Sequence, residues 1–259
     1  MNSGPRLVPL ASRPDAALRL YCFPPGGHGP GFYAPWTRHL PGPDLRAVEL
    51  PGRATLAGQP SWTDPNRVTA AVAGLVAEQD DGRPYALFGH SIGALLAWET
   101  ARRLHRTGHR PPALVAVSAL PAPHLGSYVG TFSRILLDAR HSVPHLLGLT
   151  GLPAASVAGP PDQLARFLPP LLADVLLIWH HRHRDEEPLP VPLALYGGDA
   201  DPLVPSDQLP EWNDLVVTPA TPVLFPGRHM YPVEQAQSLT ARLALDLSAA
   251  LPPRRNNSS

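Results

Sequence analysis

A serine bracketed by glycines, Gly89-His90-Ser91-Ile92-Gly93, constrains this 259-residue chain more tightly than any other stretch. Before it runs Pro84-Tyr85-Ala86-Leu87-Phe88, a short apolar segment suited to a buried parallel strand. After it runs Ala94 to Leu104, rich in helix formers and basic in its last turns. Strand, sharp turn and helix are the setting in which a Gly-x-Ser-x-Gly pattern presents its serine as a nucleophile. The glycines have a steric reason: a residue on a strained turn needs neighbours without a β-carbon, or strand and helix collide. The helix starts just beneath the serine, where its free N–H groups and dipole favour negative charge.

Composition narrows what such a turn can serve. Basic and acidic residues number 21 each, so no net field draws in nucleic acid or a membrane surface. Every basic residue is arginine, which with 35 prolines reads as coding bias. The single Cys22 rules out an internal disulfide framework. Arg6, Arg13 and Asp15 interrupt any signal-like N-terminal stretch, and nothing approaches a membrane span. The expectation is a cytoplasmic, monomeric protein with neither nucleic acid nor membrane as partner.

Along the chain, residues 1–16 read as a loose leader. Strands are expected at Leu18 to Phe23, Leu45 to Leu50, Ala113 to Ser118, Val191 to Tyr196 and up to Phe225, besides the one delivering Ser91. Helical patterns at Phe32 to Leu40, Val68 to Gln79, Ser206 to Asp214 and Val233 to Ala250 alternate with them. The alternation predicts one α/β domain over 1–259, with a mostly parallel central sheet flanked by helices. From about 121 to 187 the rhythm changes. Three helical patterns (Phe132 to Ala139, Val143 to Leu149, Gln163 to Trp179) follow without a strand, which predicts a helical lid insertion. The run His180-His181-Arg182-His183-Arg184 reads as a solvated helix end and not as a metal site, since adjacent histidines on a helix point apart. The tail from Pro252 reads as frayed.

Two loops complete a possible site. The fifth expected strand runs into Gly197-Gly198-Asp199-Ala200-Asp201-Pro202, and the last into Pro226-Gly227-Arg228-His229-Met230. The chain order Ser, Asp, His is that of the α/β-hydrolases, with acid and base at carboxyl ends of strands. Asp199 and Asp201 occupy the same loop, and spacing alone does not separate them. His90 should point away into the packing, and His28 lines the mouth. The early loop Pro24-Pro25-Gly26-Gly27-His28-Gly29-Pro30-Gly31 imitates a dinucleotide fingerprint, but Phe32 stands where the third glycine belongs. It suits a backbone turn whose N–H groups bind an oxyanion.

Together with Glu49-Leu50-Pro51-Gly52-Arg53 and Leu168-Pro169-Pro170-Leu171-Leu172-Ala173-Asp174, these segments resemble the type II thioesterases over about residues 18 to 245. These are stand-alone editing hydrolases of polyketide and non-ribosomal peptide assembly lines. The resemblance implies an α/β-hydrolase fold with a helical lid and hydrolysis of acyl groups from phosphopantetheine on acyl or peptidyl carrier proteins, with no cofactor or metal. It implies a triad of Ser91, Asp201 and His229, the acid being the residue before Pro202. Two departures stand out. Pro25 occupies an early-loop position where it has no N–H to donate, which leaves Gly26 as oxyanion donor beside Ile92. Arg228 replaces the second glycine of the family's Gly-Gly-His, altering the loop's freedom or placing a cation near the entrance. A carboxylesterase, an acyltransferase or cyclase of the same fold, and a non-catalytic α/β-hydrolase scaffold are the rival readings.

Overall fold

The computed structural model describes residues 4–125, 130 and 161–251, the side chains of 161–165 excepted. The strands are β1 (Arg6–Ala11), β2 (Arg19–Phe23), β3 (Asp44–Glu49), β4 (Tyr85–His90), β5 (Leu114–Ser118), β6 (Leu193–Gly198) and β7 (Val223–Phe225). The helices are α1 (Pro65–Glu78), α2 (Ile92–Arg106), α3 (Pro161–His180), α4 (Tyr231–Glu234) and α5 (Ala236–Ala250). Three 3-10 segments join them: Pro30–Arg38, Ala54–Leu56 and Ser206–Leu215.

The strands lie in the order β1-β3-β2-β4-β5-β6-β7, all parallel except β1, which runs antiparallel to β3. Residues of β2, β4, β5 and β6 are buried throughout, as their unbroken apolar runs require of strands covered on both faces. Alternation decides which layer each meets. Tyr21, Phe23 and Leu87 join a core with α1, α2 and α3 residues such as Val72, Leu95 and Leu171. Leu20, Cys22, Ala86 and Phe88 turn to the other face, against Tyr33, Trp36 and α5's Leu239 and Leu243. Asp64 caps α1 by accepting from the Asn66 N–H, with Pro65 at the first helical position.

One reading is corrected: residues 6–11 of the supposed leader are an edge strand. Pro9 and Arg6 break its apolar pattern, and an edge tolerates both because one side of its ladder stays unpaired. Its residues are half-buried or exposed, so little hydrophobic alternation is written into them. The histidine run is corrected in part. His180 is exposed, but His181 is 7% exposed and lies 3.1 Å from Glu99 Oε1 on α2, so the helix end is tied down there. Patterns at Phe132 to Ala139 and Val143 to Leu149, and the tail from Pro252, lie outside the described residues.

The parallel strands end at one rim. The loops leaving β2, β3, β4, β6 and β7 there carry Gly26, Arg53, Ser91, Asp201 and His229.

Candidate active site

Ser91 follows β4 and precedes α2 with φ 55 and ψ −128, a left-handed conformation rare for a residue bearing a β-carbon. Close approach explains the flanking glycines. A β-carbon on Gly89 would fall on the carbonyl oxygen of Gly93, and one on Gly93 on the carbonyl oxygen of Phe23. The turn is fastened to β5 by the Ser91 N–H, which donates to Ser118 O at 2.8 Å.

The acid and base loops are bound to each other before they reach the serine. Asp199 N–H donates to Phe225 O at 2.9 Å and Ala200 N–H to Gly227 O at 3.0 Å. Gly198 lets them close, since a β-carbon there would sit 2.6 Å from Gly227 O and 2.7 Å from Arg228 O. The result places His229 Nε2 3.0 Å from Ser91 Oγ and His229 Nδ1 2.8 Å from Asp201 Oδ2. A carboxylate only accepts, so Nδ1 carries the hydrogen and Nε2 presents its lone pair to the serine hydroxyl. Asp201 Oδ1 accepts from Leu203 N–H at 2.8 Å and Val204 N–H at 3.3 Å, which fixes the carboxylate. Asp199, left open by spacing, instead accepts the Gly227 N–H at 3.0 Å and shapes the turn. Ser91, Asp201 and His229 are 7%, 7% and 4% exposed.

Gly26 lies against the elbow: a β-carbon on it would be 3.7 Å from Ile92 Cγ2. The neighbouring Gly27 N–H is already taken by Asp174 Oδ2 at 2.8 Å. Arg228 is exposed and its φ is not positive, so its position needs no second glycine; Gly227, at φ 129, has the conformation that glycine permits.

Sequence reasoning sent His90 into the packing, where it is 0% exposed, but missed its partners. Its Nδ1 is 2.8 Å from Ser118 Oγ, which in turn meets the Tyr231 hydroxyl. Burial, and then the nearby His229, hold the His90 pKa well below its ordinary 6.5, so the ring stays neutral beside the base. Ser118 ends the strand after the elbow and Tyr231 stands two residues past His229, but neither position by itself marks a partner of His90. His28 does not stand free at the mouth: its Nδ1 lies 2.9 Å from Gly26 O, with its ring against Phe32 and Phe167.

The family model for the thioesterase domain matches residues 18–246. The chain is similar to Thioesterase PikA5 of Streptomyces venezuelae, 31% identical over 84% of this chain and 76% of that protein. It is also similar to Gramicidin S biosynthesis protein GrsT of Aneurinibacillus migulanus, 25% identical over 92% of both. Among solved structures it resembles RedJ, a thioesterase from the prodiginine biosynthetic pathway in Streptomyces coelicolor. That match has a TM-score of 0.80 and 29% identity, over 90% of this chain and 86% of that one. A nucleophile turn, a histidine and a carboxylate within hydrogen-bond reach, inside a fold and a sequence that both match over nearly the whole chain, make this protein a member of the thioesterase family.

Proposed function

We propose that this thioesterase removes acyl groups from phosphopantetheine thioesters on acyl or peptidyl carrier proteins, as a stand-alone editing or release enzyme of polyketide or non-ribosomal peptide assembly. The observation that carries the mechanism is the continuous path Ser91 Oγ, His229, Asp201, with links of 3.0 and 2.8 Å. The names of its relatives, tied to gramicidin S and prodiginine biosynthesis, support the substrate class.

In this reading Ser91 Oγ attacks the thioester carbonyl while His229 Nε2 takes its proton. Asp201 holds the imidazole in the required tautomer and stabilises the imidazolium without itself taking the proton. The N–H groups of Gly26 and Ile92 receive the oxyanion, each contributing about 10²–10³ in rate. His229 returns its proton to the departing thiolate, then draws one from a water that attacks the acyl-serine; as the bond to Ser91 Oγ breaks, that oxygen takes the proton back from His229 and the acid is released. The chemistry uses side chains, backbone and water alone. The described helix of the expected lid, α3, overlies the Gly26-Gly27 turn through Phe167 and Leu171, and the protein acts in the cytoplasm.

Turnover of an acyl-carrier protein, an acyl-pantetheine and a p-nitrophenyl ester of the same acyl chain tests the reading. The carrier-linked thioester should give the highest kcat/KM. An enzyme that strongly prefers the simple ester is a carboxylesterase of the same fold, and the carrier-protein reading fails.

A further inference from the structure

The Gly26-Gly27 turn is gripped by a helix distant in sequence. Asp174 on α3 is 2% exposed and forms a two-pronged ion pair with Arg53, itself 6% exposed. Arg53 Nη1 lies 2.6 Å from Asp174 Oδ2, and Nη2 2.7 Å from Oδ1. The same Oδ2 accepts the Gly27 N–H at 2.8 Å. On the other side of that peptide, His28 Nδ1 lies 2.9 Å from Gly26 O, so the ring nitrogen carries the hydrogen and donates it. The peptide unit joining Gly26 to Gly27 is therefore held at both its N–H and its C=O. Arg53 Nη1 also reaches His28 O at 3.2 Å, closing the loop from below.

Packing repeats the message. A β-carbon on Gly27, whose φ is +76, would sit 2.5 Å from Phe167 Cζ; one on Gly26 would sit 3.1 Å from Leu171 Cδ1. Phe167, Leu171 and Asp174 are spaced four and three residues apart, one face of α3. A Gly-Gly unit left to itself flips its peptide readily. A flip here would turn the Gly26 carbonyl toward a buried carboxylate, which repels it.

We infer that Asp174 is a positioning residue for the oxyanion-binding turn: with Arg53 it fixes the Gly26-Gly27 peptide, which anchors Gly26 on its C-terminal side and so limits how far the preceding peptide, the one carrying the Gly26 N–H, can swing from the reacting carbonyl, and α3 is thereby part of the catalytic apparatus and not only a cover. This rests on the proposal that Gly26 donates to the oxyanion.

The test replaces both ionic partners, Arg53→Met with Asp174→Leu, because exchanging a buried pair for apolar groups of similar volume generally preserves stability. Thermal unfolding, kcat and KM on an acyl-phosphopantetheine thioester, and inhibition by an alkyl boronic acid are then measured. The expected result is a folded protein with KM within about two-fold and kcat lower by about 10²-fold, the usual effect of a misplaced catalytic group. Boronate affinity should fall in parallel, since its tetrahedral adduct with a serine occupies the oxyanion site. A folded double variant with kcat and boronate affinity unchanged overturns the inference. If it does not fold, Asp174→Asn, which keeps shape and an acceptor oxygen, undergoes the same measurements; about ten-fold lower kcat at constant KM supports the inference and full kcat overturns it. Turnover that survives Ser91→Ala in an otherwise unchanged protein sinks the serine mechanism on which any oxyanion site depends, a result distinct from either variant's.

Discussion

At the scale of single residues, the two aspartates of one loop show what geometry adds to pattern. Asp201 reaches His229 Nδ1 at 2.8 Å, whereas Asp199 binds the Gly227 N–H. Asp201→Asn should lower kcat by about 10⁴, because an amide favours the wrong imidazole tautomer. Asp199→Asn should stay within about ten-fold, since it loses part of one turn hydrogen bond. Steady-state kinetics of both variants decides, and the reverse ranking contradicts the assignment. His90 yields a prediction about stability. Its folded pKa lies well below the ordinary 6.5, mainly through burial, so the unfolded chain binds a proton that the folded chain refuses. Its contribution to stability is complete above pH 6.5 and falls as the pH drops below that value toward the depressed one. Urea unfolding at about pH 7.5 and about pH 5.5 should show a smaller loss for His90→Asn than for wild type. Equal losses would show that the ring titrates freely. The serine and histidine were legible in the sequence because each stands alone in a motif with a steric reason. The Ser118 and Tyr231 partners were not, because nothing along the chain marks which hydroxyls a buried ring will meet.

At the scale of elements, the elbow's glycines make opposite predictions to an exposed one. Gly93→Ala puts a methyl group on the Phe23 carbonyl and should destabilise by at least about 3 kcal/mol. Gly74 lies in the interior of α1 with open space around it, so Gly74→Ala should stabilise by about 0.5–1 kcal/mol. Denaturant midpoints of the two variants check both signs together. The covered strands were readable as unbroken apolar runs, since parallel strands with helices on both faces must be apolar on both. β1 escaped notice for the converse reason: an edge strand that is half-buried or exposed, and carries Pro9, leaves no such mark. The role of α3 was half legible. Its apolar pattern between Gln163 and Trp179 announced a helix, but not that Asp174 would pass 147 positions back along the chain to hold Gly27.

At the scale of the whole molecule, the sheet is a device for bringing distant loops to one rim. Ser91 and His229 are 138 residues apart, and the parallel order of β4, β5, β6 and β7 closes that gap. No helix among the described residues is long and apolar enough to cross a membrane. The alternation of strand and helix forecast this architecture, because right-handed crossovers leave few other arrangements for such a chain. Which carbonyl carbon enters the site depends on the walls around it, and those are set by tertiary packing that no local pattern encodes.

The central claim is that Ser91 becomes acylated by a thioester and is freed by water. Intact-mass spectrometry after rapid quenching, with an acyl-phosphopantetheine thioester as substrate, tests it directly. Wild-type protein should show one acyl adduct, mapped by proteolysis to the peptide containing Ser91. Ser91→Ala should show none and should lose on the order of 10⁶ in kcat. An adduct elsewhere, or Ser91→Ala turning over thioester at the wild-type rate, contradicts the account.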